Sequence, residues 1–153
     1  MADTHFEKSM IQEITHKDKK LAIIIRSNYQ AEGIEFFTPD DFSQQLAYMN
    51  RPDGYVILPH THNEVEREVR LTQEVLYIKS GKVRVDYYDD AQNYLESSVL
   101  NQGDVILLAA GGHGFKVLEK AEIIEVKQGP YVENKDKERF EPIQDNQVIY
   151  KDK

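Results

Sequence analysis

Glu74-Val75-Leu76-Tyr77-Ile78-Lys79-Ser80-Gly81-Lys82-Val83-Arg84-Val85-Asp86-Tyr87-Tyr88 is the stretch whose reading decides the fold class. Val83, Val85 and Tyr87 alternate with Arg84, Asp86 and Tyr88, the period of two that sends successive side chains to opposite faces of a strand. Ser80-Gly81-Lys82 predicts a hairpin turn, ending a strand over residues 74–79 and starting its return strand. Outward in both directions the same rhythm continues. Asp89-Asp90-Ala91-Gln92-Asn93 reads as a turn into a strand over 94–100, and Asn101-Gln102-Gly103-Asp104 turns into 105–109. Gly111-Gly112-His113-Gly114 predicts a tight loop, after which 115–118 and 122–127 form a last pair. Upstream, residues 55–62 read as a strand behind the turn signal Asn50-Arg51-Pro52-Asp53-Gly54. Residues 20–26 and 34–38 are earlier strands. Residues 42–49 stay open, because Phe42, Leu46 and Met49 also fit one side of a helix. Short strands with repeated turns predict an all-β sandwich or closed barrel.

The 153 residues suffice for one domain with a core. The reading is a single domain, 1–153: N-terminal strands over 1–50, a barrel core over 51–130 and a charged tail over 131–153. Phe140, Ile143, Val148 and Ile149 are the residues placed to pin that tail. A formal net charge of −8 argues against a sequence-independent grip on nucleic acid or on anionic membranes. The apolar stretch Leu21 to Ile25 is far too short to span a bilayer, and no secretory leader pattern opens the chain. A cytoplasmic protein is the expectation. Cysteine is absent, so any metal must be held by nitrogen and oxygen.

Candidate ligands of that kind are present. His60 and His62 share one face of the strand expected over 55–62. With Glu74 and His113 arriving from other strands, they make three nitrogens and one oxygen, a set suited to Zn, Mn, Fe or Ni. His5 and His16 lie outside this set and read as surface residues. Taken alone, a His-x-His pair is as compatible with an ordinary surface or core role as with a metal.

The spacing resembles the two sequence blocks of the cupin superfamily. Gly54, five residues and His60-Thr61-His62 match the start of the first block, and Glu74, six residues and Gly81 match its end. Gly103, five residues, Ala109, Gly111 and His113 resemble the second block, with Ala109 in place of its proline and a loop one residue shorter. The resemblance covers residues 54–127. It implies a single double-stranded β-helix, or jelly-roll, with His60, His62, Glu74 and His113 as metal ligands. It also implies a strand over 44–50 and a homodimer paired through sheet edges.

The chain departs from the pattern between His62 and Glu74, where eleven residues replace a short spacer. Glu66 satisfies the usual spacing from His62, but only Glu74 satisfies the spacing to Gly81. On a regular hairpin over 63–73, Glu64, Glu66, Arg70 and Thr72 share the metal's face, with Val65, Val69 and Leu71 on the other. Such a hairpin is expected to wall the mouth of the site, its apolar side packed on a neighbour such as a second subunit. Glu64, Glu66, Tyr77 and Lys127 are the acid–base candidates, and Arg70 is placed to hold an anionic group. Glu125 and Lys127 share a strand face that reads as exposed.

A metal with open positions suits isomerisation or epimerisation, oxygen chemistry or hydrolysis. The resemblance is to small bacterial cupins, including uncharacterised ones associated with surface-glycan genes. It favours a metal-dependent enzyme on a small oxygenated metabolite, a carbohydrate or sugar-nucleotide derivative first. A cupin dioxygenase and a non-catalytic module binding a small ligand are the other readings, and fold alone does not choose among them.

Overall fold

The computed structural model describes residues 10–133 and 135–151. Strands make up 46% of the described residues and helix 2%, so the fold is all-β, built on a strongly curled half-barrel sheet. In chain order the strands are β1 (Ile11–His16), β2 (Lys19–Ile25), β3 (Gly33–Phe36), β4 (Ala47–Asn50), β5 (Glu74–Tyr88), β6 (Tyr94–Asn101), β7 (Val105–Leu108) and β8 (Gly112–Lys127). Six of them form one antiparallel sheet in the order β1-β2-β7-β5-β6, with β8 also paired to β5. β3 and β4 form a separate two-stranded sheet. Among the described residues, no helix is long and apolar enough to cross a membrane.

The curl originates in β5, where the expected hairpin at Ser80-Gly81-Lys82 is absent and the strand runs through from Glu74 to Tyr88. Glu74–Tyr77 pair with β7, whereas Lys82–Tyr88 pair with β6. Gly81 lies between the two sets at φ +85°, so the strand bends and changes neighbours instead of reversing. The physical signal in the sequence was a positive-φ glycine, and such a glycine serves a bulge or a bend as well as a turn. β8 follows β5 along its whole length, with register shifts opposite the bend. What reads in sequence as a loop and two short strands is therefore one 16-residue strand beginning at Gly112.

Pairing fixes the faces. Leu76, Ile78, Val83, Val85 and Tyr87 of β5 join Ile14, Leu21, Ala22, Ile24, Leu100, Ile106 and Leu108 in the core. Leu21 to Ile25 are buried in succession, which explains a run of five apolar residues without alternation. The β1–β2 hairpin turns through Lys17 and Asp18, both at positive φ, the conformation that suits a two-residue hairpin loop. At the β6–β7 turn, buried Asp104 accepts hydrogen bonds from Arg26 Nη1, Ser27 N and Asn101 N, each at 2.8 Å. Residues 42–49 contain no helix, and of the strand expected over 44–50 only Ala47–Asn50 forms.

Residues 51–71 depart most from expectation. Residues 55–62 form no strand, and residues 63–73 form no hairpin. Every residue from 51 to 71 is exposed, including Val56, Ile57 and Leu58. A strand needs a neighbour for its backbone hydrogen bonds, and alternation alone does not supply one.

The tail is pinned against Tyr88 and Ser97. Phe140 packs edge-on against Tyr88, with centroids 4.9 Å apart, and Ile143 N–H donates to the Tyr88 hydroxyl at 2.9 Å. Ser97 N–H donates to Ile149 C=O at 2.8 Å. Beneath it, buried Arg84 holds Asp86 through two hydrogen bonds, at 2.8 and 3.1 Å, and reaches Asp145 at 3.0 Å.

Candidate functional site

Glu74 and His113 are brought together. Gln73 fixes the start of β5: its carbonyl accepts from Gln128 N–H and its side-chain oxygen from Gln44 N–H, each at 2.9 Å. Glu74 follows on the concave face, its side chain 8% exposed, and His113 Nε2–H donates to its Oε2 at 3.0 Å. That hydrogen bond lowers the Glu74 carboxyl below the ordinary glutamate range against the opposing effect of burial. The positive charges of Lys137 and Lys127 act in the same direction.

The pair opens into a cavity of about 710 Å³. Its walls include Arg70, Thr72, Leu108, Phe115, Glu125 and the tail residues Asp136 to Phe140. Lys127 lies directly across the β5–β8 ladder from Glu74 and contacts Asp136 at 3.6 Å. Burial works against its ammonium form, but Asp136 and Glu74 outweigh that and raise its pKa above the ordinary lysine value. Glu125 and Lys127 thus share the face of Leu76 and Glu74, their register partners on β5, and on that face Glu125 is exposed, as its sequence reading expects, while Lys127 is half-buried.

The remaining candidates lie elsewhere. His60 and His62 stand on the exposed segment, their rings 5.1 Å apart, and His60 Nδ1 lies 3.0 Å from Leu58 C=O. Glu64 and Glu66 are exposed on the same segment. Tyr77 alternates to the outer face, away from Glu74. His16 is half-buried at the end of β1, and His5 lies outside the described residues. Among the described residues no three His, Asp or Glu side chains converge as a metal site. Asp136, Lys137 and Arg139 were missed as site residues because a run of alternating charges reads as a solvated tail. The apolar Phe140 at its end was the signal that it docks.

The donor chemistry of Glu74 and His113 fits half of a metal site. A carboxylate oxygen and an imidazole nitrogen are both common metal ligands, and the two stand side by side, 3.0 Å apart, at hydrogen-bond distance. Comparison of the chain with family models, with curated proteins and with solved structures finds no match.

Proposed function

We propose that this chain is a metal-binding cupin, its curled sheet part of a jelly-roll barrel, acting on a small oxygenated metabolite. Glu74 and His113, with His60 and His62, are the ligand set. The observation that carries the reading is the Glu74–His113 pair: a carboxylate and an imidazole, both metal-ligand types, side by side in a cavity. A cavity of about 710 Å³ also falls within the size range of small-ligand sites.

A divalent metal bound there supplies Lewis-acid polarisation of a substrate carbonyl or hydroxyl. This chain's own residues do the rest. Arg70, Lys137 and Arg139 line the cavity as cations and suit a phosphate or carboxylate group on the substrate. Glu125 presents a carboxylate to the same space and is the group placed to exchange a proton with a bound substrate. An acid–base residue beside a polarised oxygen is the requirement of isomerisation or epimerisation, and Arg70, Lys137 and Arg139, standing among the carboxylates Asp90, Asp136 and Glu138, suit a polar substrate such as a carbohydrate derivative.

Elemental analysis of the full chain, purified without chelators, tests this, with His113→Ala and Glu74→Gln alongside. About one transition metal per chain, lost in both variants, is the expected result. Iron together with oxygen consumption would move the assignment to a dioxygenase. Absence of metal, with a small ligand still bound, would make the chain a binding module and Glu74 and His113 ordinary pocket residues.

A further inference from the structure

We propose that two copies of this chain exchange the segment 51–71, so that His60 and His62 of the partner subunit complete the site begun by Glu74 and His113. The inference rests on the metal-binding reading above and says which chain supplies each ligand.

Two unpartnered features of one chain complement each other. One is the segment itself, exposed throughout, with Val56 70% and Leu58 76% exposed. The other is β8, which among the described strands pairs only with β5 and leaves its second edge free. On the concave face of β8, Phe115, Val117 and Ile123 lie in register with the buried Val85, Val83 and Ile78, yet they are 44%, 56% and 39% exposed. A core face left open beside a free edge is the geometry that accepts one more strand.

The sequence of the segment fits that place. In an antiparallel register with His62 of the partner subunit opposite His113, its His60 falls opposite Phe115 and its Leu58 opposite Val117. All three pairs share the concave face. The histidines then stand beside Glu74 and His113, and Leu58 covers the apolar wall. The same register serves both chains at once, as a two-fold exchange requires.

The connection explains a second copy better than a fold-back within one chain. Eleven residues separate His62 from Glu74, enough to span about 36 Å when extended. A site within one chain needs to bridge only the width of one metal. In the structure the end of this connection, Arg70 to Thr72, lines the cavity beside Glu74, whereas neither histidine does.

The test uses the full chain, cobalt(II) as the probe, and two variants each missing one ligand. His62→Ala and Glu74→Gln should each lose nearly all bound cobalt. Co-expressed with different tags and purified as the mixed dimer, they should regain about half the wild-type cobalt per chain. One of the two sites then contains only wild-type ligands, because its arm and its body come from different chains. A mixed dimer with no more cobalt than either variant would overturn the exchange, as would a wild-type chain that sediments as a monomer. If the wild-type dimer binds no cobalt, the metal reading fails on its own and the exchange is judged by Leu58→Asp and Val117→Asp. Both residues are exposed in the single chain, so each variant should stay folded by circular dichroism while the dimer dissociates. A dimer that survives both substitutions would overturn the proposal.

Discussion

Glu74 and His113 lie at opposite ends of the β5–β8 ladder, yet their side chains meet at 3.0 Å. His113 pairs across the ladder with Tyr87, not with Glu74. In a flat sheet the ends of that ladder would be about 43 Å apart, at roughly 3.3 Å per residue. The contact therefore exists because the sheet curls, and the curl passes through Gly81. A Cβ at Gly81 would lie 2.1 Å from Lys120 C=O, on a backbone at φ +85°. Gly81→Ala should cost more than the ~1–2 kcal/mol of the left-handed conformation alone. Urea unfolding measures that loss. A variant of wild-type stability would mean that the bend is not set by this glycine.

The hydrogen bond itself has a pH signature. Glu74 is held below its ordinary value by His113, with burial opposing. A carboxyl lowered in the folded state contributes stability that is fully present above its unfolded value, about 4.3. That stability is lost as pH falls through the lower folded value. In His113→Ala the hydrogen bond is gone and burial remains, so the Glu74 carboxyl should titrate higher than in the wild type. Carboxyl-carbon NMR of Glu74 in the metal-free proteins checks the direction. An unchanged or lower titration in the variant would contradict the assigned cause.

These two residues also show what was legible in the sequence. Period two across Val83–Tyr88 identified the strand and its core face, because alternation is a local property of the chain. Gly81 was visible as a special backbone position, but a bend and a reversal demand the same positive φ. Only the change of neighbour from β7 to β6 distinguishes them, and that is a non-local fact. Glu125 is exposed, as its pattern suggests, yet it lies in register with buried Leu76, because alternation says which residues share a face and not which face is inside. Residues 55–62 carry a strand's pattern without a strand's partner, so pattern and structure separate there. Asp136 and Lys137 show the converse. A charged run has no periodic signal, and its place beside Glu74 follows from Phe140 docking on Tyr88.

That docking should be separable from the folding of the curled sheet. Phe140→Ala removes an edge-on contact with Tyr88, an interaction of about 0.5–1.5 kcal/mol beyond the area it buries. The core residues around Tyr87 and Leu100 do not depend on it. The expected outcome is a folded sheet whose tail, residues 136–150, is cleaved faster by protease. Tyr88→Phe should act in the same direction but more weakly, since Ile143 N–H loses one hydrogen bond, worth about 1 kcal/mol. If cleavage in the tail is as slow in Phe140→Ala as in the wild type, the Tyr88 contact is not what holds it.

Arg84 beneath the tail calls for a different test, because its charge is buried. Its side chain is 6% exposed and that of Asp86 4% exposed, and Ser97 donates a further hydrogen bond to Asp86 at 2.5 Å. Asp86 and Asp145 raise the Arg84 pKa well beyond its ordinary value in spite of desolvation, so the guanidinium stays charged. Arg84→Met leaves the Asp86 carboxylate buried without its counter-ion, a loss of about 3–5 kcal/mol for breaking such a pair. Changing both, Arg84→Met with Asp86→Leu, removes the charge along with its partner and should recover most of that loss. The Ser97 hydroxyl then keeps only its contact with Tyr94 at 2.7 Å. Urea unfolding of the two single variants and the double gives the coupling directly. If the double variant loses the sum of the single losses, the two side chains act independently. The ion pair would then not be what holds this part of the sheet together.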